Sequence, residues 1–441
     1  MGRQIDMARV KKKDSFRKRD KNKRIALFAI MPGVESSPSI VNLVESLAEE
    51  GYIVDFFSPS PYSFEEALGH SYENVNLYFD RGFRKNGKPK ITKQTLNFSL
   101  IGRFLSGLYR STKLHGIKAS ILYAIFIARY LKLLSQVYLA IKGKKYICFI
   151  GVDKEGLVSA DLVNYDEVPL IYYSLELEYS ARPGIVSGLR FNIIKELEAI
   201  AHHDAMATII QDEERAKVLF EYNRVSRDKQ KTLYLPVSML GEAFKERTDF
   251  FNRRLGIPGD KKILLQLGMI SSTRMSLEIA KSAQEWPEDW ALVMHGKFYE
   301  DAEHQLRELN EKGNIFVSER KVPLNDMPKV VASAHIGLVF YKDLEEDYYN
   351  NYYIGSSSGQ LAHHLQCGIP IITINIPSLS RVVDEYQCGL AVNDVNSISE
   401  AANIIFSKYE FYRENAFRCF EARYRFDKNF RNISQFIKSL A

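Results

Sequence analysis

Cysteine is scarce in this sequence, and its four cysteines stand far apart, at positions 148, 367, 388 and 419. No two of them form a CxxC pair, so neither a zinc site nor a disulfide framework is predicted. A chain without disulfides fits a reducing compartment, and we expect this one in the cytoplasm. Basic residues dominate the first 24 positions, but no apolar run follows them, so a secretory signal is not predicted.

Apolar runs long enough to cross a membrane are also missing, because a spanning helix needs about 20 apolar residues. The most apolar stretch, residues 119–141, is interrupted by Arg129 and Lys132. It lies within residues 81–145, which contain fifteen Lys and Arg residues and no acidic residue. Basic side chains near an anionic membrane surface contribute about 1 kcal/mol each. We therefore predict that this segment docks on an anionic membrane surface; the alternative is a core helix among solvated lysines.

Familiar cofactor and nucleic-acid motifs do not occur either. The loop after the first predicted strand reads MPGVESSPS and has one glycine, Gly33, where a dinucleotide fingerprint needs GxGxxG. No P-loop, HExxH or RNA-binding motif is found, so we predict no tightly bound cofactor, no metal and no nucleic acid partner. His363 and His364 are adjacent and would point to different sides of a helix, which disfavours a metal pair.

Strand-like and helix-like segments alternate from Arg24 onward. RIALFAIM at 24–31 is typical of a buried strand, and Ser37-Pro38 is a helix start with a serine cap and proline in the first turn. Such alternation predicts an α/β chain of parallel sheets covered by helices on both faces. We predict two doubly wound, Rossmann-like domains facing a cleft. The parts are a basic flexible tail at 1–23, an N-terminal domain at 24–238 with the basic apolar insert 81–145, a second domain at 239–405, and C-terminal helices at 406–441.

Two segments of the second domain have the composition of an anion site. In LLQLGMISSTR, Gly268 ends a strand and Arg274 follows where a helix begins. A guanidinium there can bind a diphosphate bidentately, beside amides polarised by the helix dipole. In GSSSGQL, small residues precede another helix and let backbone N–H groups approach an anion. Together they predict a phosphate cradle; for GSSSG alone the alternative is a serine cap and a glycine turn.

These segments, with HG at 295–296, VPLNDMPKVVASAHIGLVFY and VVDEYQCGLAV, make the chain resemble GT-B glycosyltransferases. It is most similar to the large retaining family of bacterial surface-polysaccharide enzymes (glycosyltransferase family 4-like, group 1). YYSLELE, IIQDEERAKVL and LPVS resemble the N-terminal half of that family. The resemblance covers about residues 24–441 and keeps the order and spacing of the motifs. It implies that the domain at 24–238 binds the acceptor, that the domain at 239–405 binds the nucleotide sugar, and that the helices at 406–441 cross back to the first domain.

The resemblance implies transfer of a sugar from a UDP- or GDP-linked donor to a cell-envelope or lipid-linked glycan, with retention of the anomeric configuration. It implies no metal, because protein donors usually neutralise the leaving diphosphate in this fold. The protein would rest on the inner face of the cell membrane. The alternatives are a GT-B protein without transferase activity that acts as a partner or scaffold, and a nucleotide-sugar epimerase.

The resemblance also implies roles for individual residues. Arg274 and Asp153 would be catalytic, the first at the diphosphate and the second near the reacting sugar. The nucleotide-sugar site would add Gly33, Gly268, His295, Gly296, Ser357, Ser358, Gly359, Gln360 and His363. Glu176 and Glu178 are acceptor-side candidates, with a solvated strand end as the alternative.

Four positions depart from the family pattern. Many relatives carry two glutamates eight positions apart, which touch the donor sugar and the ribose, and here those positions are Gly355 and His363. Met269 stands where relatives often have arginine, and Gln360 where they often have lysine. Histidine can donate to a ribose hydroxyl but cannot accept two hydrogen bonds as a carboxylate does. The identity of the donor therefore stays open.

Overall fold

The computed structural model describes residues 23–30, 33, 37–58, 72–79, 128, 130–178, 185–299, 302–309, 313–319, 322–342 and 348–441. The predicted flexible tail, apart from Lys23, lies outside the described residues. So does most of the basic segment, of which only residues 128 and 130–145 are described. Among the helices that are described, none is long and apolar enough to cross a bilayer.

The N-terminal domain is built on a parallel sheet of seven strands, in the order β3-β2-β1-β4-β5-β6-β7. Ile25 of β1 pairs with Val54 of β2 on one side and Cys148 of β4 on the other, so the winding reverses between β1 and β4. The central strands are buried, as a sheet covered on both faces requires. The strands are β1 (Arg24–Phe28), β2 (Ile53–Ser58), β3 (Val75–Phe79), β4 (Cys148–Val152), β5 (Leu170–Tyr173), β6 (Ala207–Ile210) and β7 (Lys231–Tyr234).

Among the described residues of this domain, five helices of eight residues or more connect the strands. The first begins as its sequence predicts, because the Ser37 side chain accepts a hydrogen bond from the Ile40 backbone N–H and Pro38 occupies the first turn. They are α1 (Pro38–Glu49), α2 (130–141), α3 (Asp153–Leu162), α4 (Ile185–Asp204) and α5 (Glu213–Tyr222).

The second domain repeats this architecture with six parallel strands, in the order β10-β9-β8-β11-β12-β13. Here the winding reverses between β8 and β11. Ligands in such sheets bind at the carboxyl ends of the strands where the winding reverses. The strands are β8 (Lys262–Ile270), β9 (Trp290–Phe298), β10 (Ile315–Ser318), β11 (Ile336–Val339), β12 (Ile371–Ile374) and β13 (Gly389–Val392).

In the part of the second domain that the structure describes, eight helices accompany this sheet. They are α6 (Phe250–Leu255), α7 (Ser276–Ala283), α8 (Ala302–Glu308), α9 (Met327–Val331), α10 (Tyr348–Tyr352), α11 (Gly359–Gln366), α12 (Pro377–Tyr386) and α13 (Ile398–Ser407).

The C-terminal helices link the two domains. Helix α14 (Tyr409–Cys419) packs on the second domain and runs into a π-helical turn, Phe420–Tyr424. Two helices follow, α15 (Phe426–Asn429) and α16 (Arg431–Ser439). Their apolar side chains belong to the same buried cluster as Ile25 and Val54 of the first sheet. The last helices are therefore part of the N-terminal core, and the chain crosses between the domains twice.

Candidate active site

Three pieces of the second domain meet where its winding reverses. The loop after β8 brings the Arg274 guanidinium carbon to 4.1 Å from the centre of the Tyr341 ring, which follows β11. The Tyr341 hydroxyl lies 2.6 Å from Ser358 Oγ, at the start of α11. Cation–π stacking fixes the plane of the guanidinium and leaves its N–H groups for an anion. Sequence reasoning missed Tyr341, although an aromatic residue directly after a buried strand was a signal.

The tip of α11 offers polar groups to the same place. Ser358 Oγ caps the helix by accepting from the Leu361 backbone N–H at 3.2 Å. The first backbone N–H groups of a helix have no partner within that helix, which makes them an anion site. Ser357 Oγ, Gln360 Oε1 and Arg274 Nε are buried and have no hydrogen-bond partner among the described residues. A buried polar atom without a hydrogen-bond partner costs stability, and a bound ligand that supplies the partner removes that cost. These three atoms are therefore available to a ligand.

Two glycines shape the floor of this group of residues. Gly296 has φ +149°, and a Cβ there would overlap the Gly268 carbonyl on the neighbouring strand. Gly268 has φ +96°, and the Gln360 side chain lies in van der Waals range of where its Cβ would be. The glycines thus allow β8 and β9 to approach and leave room for Gln360. The structure therefore brings together Gly268, Gly296, Arg274, Ser358 and Gln360.

His295 lies outside this group. Strand β9 continues to Phe298, so His295 is not at the strand end. Its Nδ1 is 2.9 Å from Ser318 Oγ, and its ring packs edge-on against Phe251 at 5.6 Å. Burial lowers the pKa of His295 to about 4, so the ring is neutral at pH 7. The His295 ring therefore contacts Ser318 and Phe251 in the interior of the domain.

The two positions where relatives carry glutamate differ from each other. A Cβ at Gly355 would overlap the Ser378 carbonyl, so a glutamate does not fit this backbone. His363 lies in α11, one turn after Gly359, and its Nδ1 has no partner within the described part of the chain. Burial lowers the pKa of His363 to about 4, which leaves a neutral ring able to donate or accept one hydrogen bond.

The N-terminal domain places a buried acid at its own winding reversal. Asp153 follows β4 directly and has φ +51°, a left-handed conformation that costs energy for a residue with a Cβ. Its Oδ1 accepts from the backbone N–H groups of Leu175 at 2.7 Å and Glu176 at 3.0 Å. Its Oδ2 is buried and has no partner in the residues that the structure describes. Burial, reinforced by the Glu176 charge, raises the pKa of Asp153 to about 7 despite those amides.

The other predicted residues of this half are arranged differently. Glu178 is ion-paired with Lys154, whose ammonium is also 3.3 Å from Glu155. Glu176 is exposed beside Asp153. Gly33 is exposed with φ +96°, and the flanking residues 31–32 and 34–36 lie outside the description. Glu178 thus holds the start of α3, and Glu176 is the carboxylate nearer to solvent.

Contacts between the domains join the two halves of the site. The Val237 backbone N–H donates to the Ser356 carbonyl at 2.8 Å, and Arg381 pairs with Glu214 at 3.0 Å. Asn350 of α10 also reaches across to Leu177 of the N-terminal domain. Within the described chain, no cluster of three or more His, Cys, Asp or Glu side chains is arranged to hold a metal ion.

Residues 275–422 match the family described as "Glucosyltransferase 3-like, C-terminal domain". No curated protein matches the chain.

Solved structures match over nearly the whole length. Sucrose-phosphate synthase of Thermosynechococcus elongatus has a TM-score of 0.63 at 14% identity, with 95% of this chain and 99% of that chain covered. HepE of Anabaena in complex with UDP has a TM-score of 0.63 at 10% identity, with 94% and 99% covered. The structure described as "Trehalose-6-phosphate from E. coli bound with UDP-2-fluoro glucose" has a TM-score of 0.59 at 11% identity, with 95% of this chain and 98% of that chain covered. The predicted GT-B fold is confirmed, and the family match supports the predicted glycosyltransferase.

Proposed function

We propose that this protein transfers a sugar from a nucleotide-sugar donor to a cell-envelope or lipid-linked glycan, with retention of configuration and without a metal ion. The observation that carries the proposal is the group formed by Arg274, Tyr341 and Ser358 at the winding reversal of the second sheet. An oriented cation beside a helix tip, with polar atoms around it that have no partner in the described chain, suits a nucleoside diphosphate.

In the proposed reaction an acceptor hydroxyl oxygen bonds to the anomeric carbon of the sugar and gives its proton to the leaving diphosphate. The bond from that carbon to the diphosphate breaks, and negative charge grows on the diphosphate as it leaves. Arg274 and the first amides of α11 neutralise that charge, which is the main electrostatic task of the step. The reacting sugar gains positive character, and an ionised Asp153 on the other side of the cleft stabilises it. The positive charge of Arg274 thus stabilises the leaving diphosphate, and the negative charge of ionised Asp153 stabilises the reacting sugar.

The donor is proposed to be UDP-linked, with GDP-linked sugars as the other candidate. HepE was solved with UDP and with UDP-glucose, and this chain shares its fold. The sugar is recognised without the usual glutamate at position 355, where no side chain fits. His363 is the nearest substitute at the second position, because its Nδ1 has no hydrogen-bond partner among the residues described.

The donor proposal is tested by thermal shift with UDP, GDP, ADP and their sugars. A ligand that binds only the native state raises its stability by about 2.7 kcal/mol at 100 times its Kd. We expect one nucleotide family to raise the melting temperature of the wild type and to have a much smaller effect on Arg274→Ala. Absence of any shift, together with absence of nucleotide release from every donor, would contradict the proposal.

The acceptor is proposed to be presented at an anionic membrane surface. Leu131 and Leu139 of α2 are 57% and 70% exposed, and their spacing of eight residues places them on one helix face. Lys142 and Lys145 continue from that helix and are exposed. Exposed leucines beside basic residues are typical of a helix that lies in the membrane interface. The net positive charge of residues 81–145 has the sign that an anionic surface attracts.

Sedimentation with vesicles containing anionic lipids tests the membrane proposal. Wild-type protein should sediment at low salt and less so at high salt, because salt screens the attraction. The double variant Leu131→Asp, Leu139→Asp should lose binding. Phe411→Asp is the matched control, since Phe411 is 48% exposed on the other domain. Salt-insensitive behaviour, or equal binding by both variants, would contradict docking on an anionic membrane.

A GT-B protein without transferase activity is the second candidate, and the steric exclusion of a glutamate at Gly355 favours it. Such a partner or scaffold would bind the nucleotide and show no turnover with any acceptor. Formation of a glycoside product that depends on the donor would eliminate this candidate.

A further inference from the structure

We infer that Asn350 is a positioning residue that couples the diphosphate cradle of one domain to Asp153 of the other. The inference rests on the proposed function, because it assumes that the cradle and Asp153 serve one reaction. It assigns a role to the tyrosine- and asparagine-rich helix α10, which the proposed chemistry does not otherwise use.

The position of Asp153 depends on the segment 174–178. Both hydrogen bonds to its Oδ1 come from backbone N–H groups of this segment, those of Leu175 and Glu176. Strand β5 ends at Tyr173, so the segment continues past the last residue of its strand. Any movement of its backbone would change the donors that hold the carboxylate and its left-handed backbone.

The last hydrogen bond of this segment to a neighbouring strand is that of the Ser174 N–H to the Ile209 carbonyl of β6, at 3.0 Å, and buried side chains add to it. Gln211 Nε2 donates to the Ser174 carbonyl at 2.7 Å, and Arg215 Nη2 donates to the Leu175 carbonyl at 2.7 Å. Both side chains are 1% exposed and belong to the N-terminal domain. They fix the first half of the segment from within its own domain.

The second half of the segment 174–178 is held by a residue of the other domain. Asn350 Oδ1 accepts from the Leu177 N–H at 2.8 Å, and Asn350 Nδ2 donates to the Leu177 carbonyl at 3.0 Å. The amide therefore pairs with Leu177 as a neighbouring strand would. The same Oδ1 accepts from Arg215 Nη2 at 3.1 Å, so it joins the group that supports Leu175. Asn350 is 7% exposed, and a buried amide whose oxygen and nitrogen are both hydrogen-bonded is held in one orientation.

Helix α10 is tied just as closely to the cradle. Asn351 Nδ2 donates to the Lys342 carbonyl at 2.9 Å, and the Lys342 N–H donates to the Thr273 carbonyl, next to Arg274. At the other end of the helix, Ser378 Oγ donates to the Tyr352 carbonyl and accepts from the Gly355 N–H. Neighbouring asparagines on one helix thus contact the two halves of the site, so a ligand that orders the cradle also orders Leu177.

Amide hydrogen exchange of the full chain tests this coupling, with the matched variants Asn350→Leu and Arg381→Ala. The first removes the pairing with Leu177 at similar volume. The second removes an exposed ion pair between the domains that does not touch residues 174–178. Without ligand, Asn350→Leu should speed exchange at 174–178 about tenfold, and Arg381→Ala should leave it unchanged. Unchanged exchange in Asn350→Leu would overturn the inference. Asn350→Asp, which keeps the acceptor and loses the donor, should give an intermediate rate and serves if the leucine variant does not fold.

A second hydrogen-exchange measurement adds the nucleotide that gives the largest thermal shift. In wild type and in Arg381→Ala it should slow exchange at both 355–360 and 174–178; in Asn350→Leu it should slow exchange at 355–360 only. Equal protection of 174–178 in Asn350→Leu would overturn the coupling. If no nucleotide protects 355–360 in wild type, the proposed function fails, and the comparison without ligand still decides the role of Asn350. With an active donor, Asn350→Leu should lower kcat about tenfold and leave KM for the donor nearly unchanged.

Discussion

The two domains share one winding, and each places a different side chain where it reverses: an acidic one in the N-terminal domain and a cationic one in the C-terminal domain. In the N-terminal sheet that place holds Asp153, a buried carboxyl already bound by two backbone N–H groups. In the C-terminal sheet it holds Arg274, stacked on Tyr341 and surrounded by polar atoms without partners among the described residues. The N-terminal half therefore holds its carboxyl in place without a ligand. The C-terminal half has polar atoms that a ligand could pair with. In the proposed reaction, the repeated fold divides the work between an acidic residue in one domain and a cationic residue in the other.

The cationic half is tested by Arg274→Ala, which has the largest expected effect. Turnover should fall about 100- to 1,000-fold, since removal of one oxyanion-type donor costs about 2–4 kcal/mol of transition-state stabilisation. Lys281→Ala, an exposed cation on the following helix, is the control and should keep its activity. Steady-state nucleotide release measures both, and equal rates for the two variants would remove Arg274 from the reaction.

The acidic half is tested by Asp153→Asn, which should change activity and stability in opposite directions. The amide oxygen still accepts from Leu175 and Glu176, but the charge is gone, and we expect turnover to fall about 100-fold. Because the pKa of Asp153 is raised from 3.8 to about 7, the folded protein binds this proton more tightly than the unfolded chain does. The stability of the folded protein therefore falls as pH rises from about 4 to about 7, and the loss is complete above that range.

Unfolding by denaturant at two pH values measures that cost. Asp153→Asn should be more stable than wild type by about 1–3 kcal/mol at pH 8 and equally stable at pH 4, where both side chains are neutral. A variant that is less stable at pH 8 would mean that the carboxylate stabilises the fold, which is incompatible with a raised pKa for Asp153.

Gly296→Ala tests whether the cradle needs the close approach of β8 and β9. The added Cβ overlaps the Gly268 carbonyl and φ is +149°, so we expect a loss of about 1–3 kcal/mol in unfolding free energy together with weaker nucleotide binding. Gly313→Ala is the control, because its φ is +63° and its Cβ would meet no atom within 4 Å. If Gly296→Ala binds nucleotide as tightly as the wild type, Gly268 and Gly296 do not shape the nucleotide site.

The pH dependence of wild-type turnover tests the ionisation of Asp153 without any substitution. If the ionised form of Asp153 is active, kcat should rise as pH increases through about 7 and lose about tenfold for each pH unit below that. Stopped assays between pH 5 and 9 measure the profile. A rate that falls as pH rises through 7 would assign the acid form to the reaction instead.

The sequence predicted regular and local features well. The strands of the second sheet are short runs of apolar residues between helical patterns, and that alternation predicts their order. The helix caps at Ser37 and Ser358 depend on residues close in sequence, and both caps are observed. Strand β3 was not predicted, because it is a five-residue edge strand that includes a polar residue, Asn76, paired with Asp55.

Tertiary features could not be predicted from the sequence. The environment of His295 depends on Phe251 and Ser318, which come from elements far apart in the chain. The steric conflict at Gly355 depends on a carbonyl 23 residues later. Asn350 meets Leu177 across 173 residues, and no local pattern marks that pairing.

A crystal structure with the nucleotide that gives the largest thermal shift tests the central claim most directly. We predict that the diphosphate lies between the Arg274 guanidinium and the backbone N–H groups at the start of α11, with Tyr341 still stacked on Arg274. Phosphates bound elsewhere, with Arg274 turned to solvent, would contradict the proposed reaction and leave only the GT-B fold.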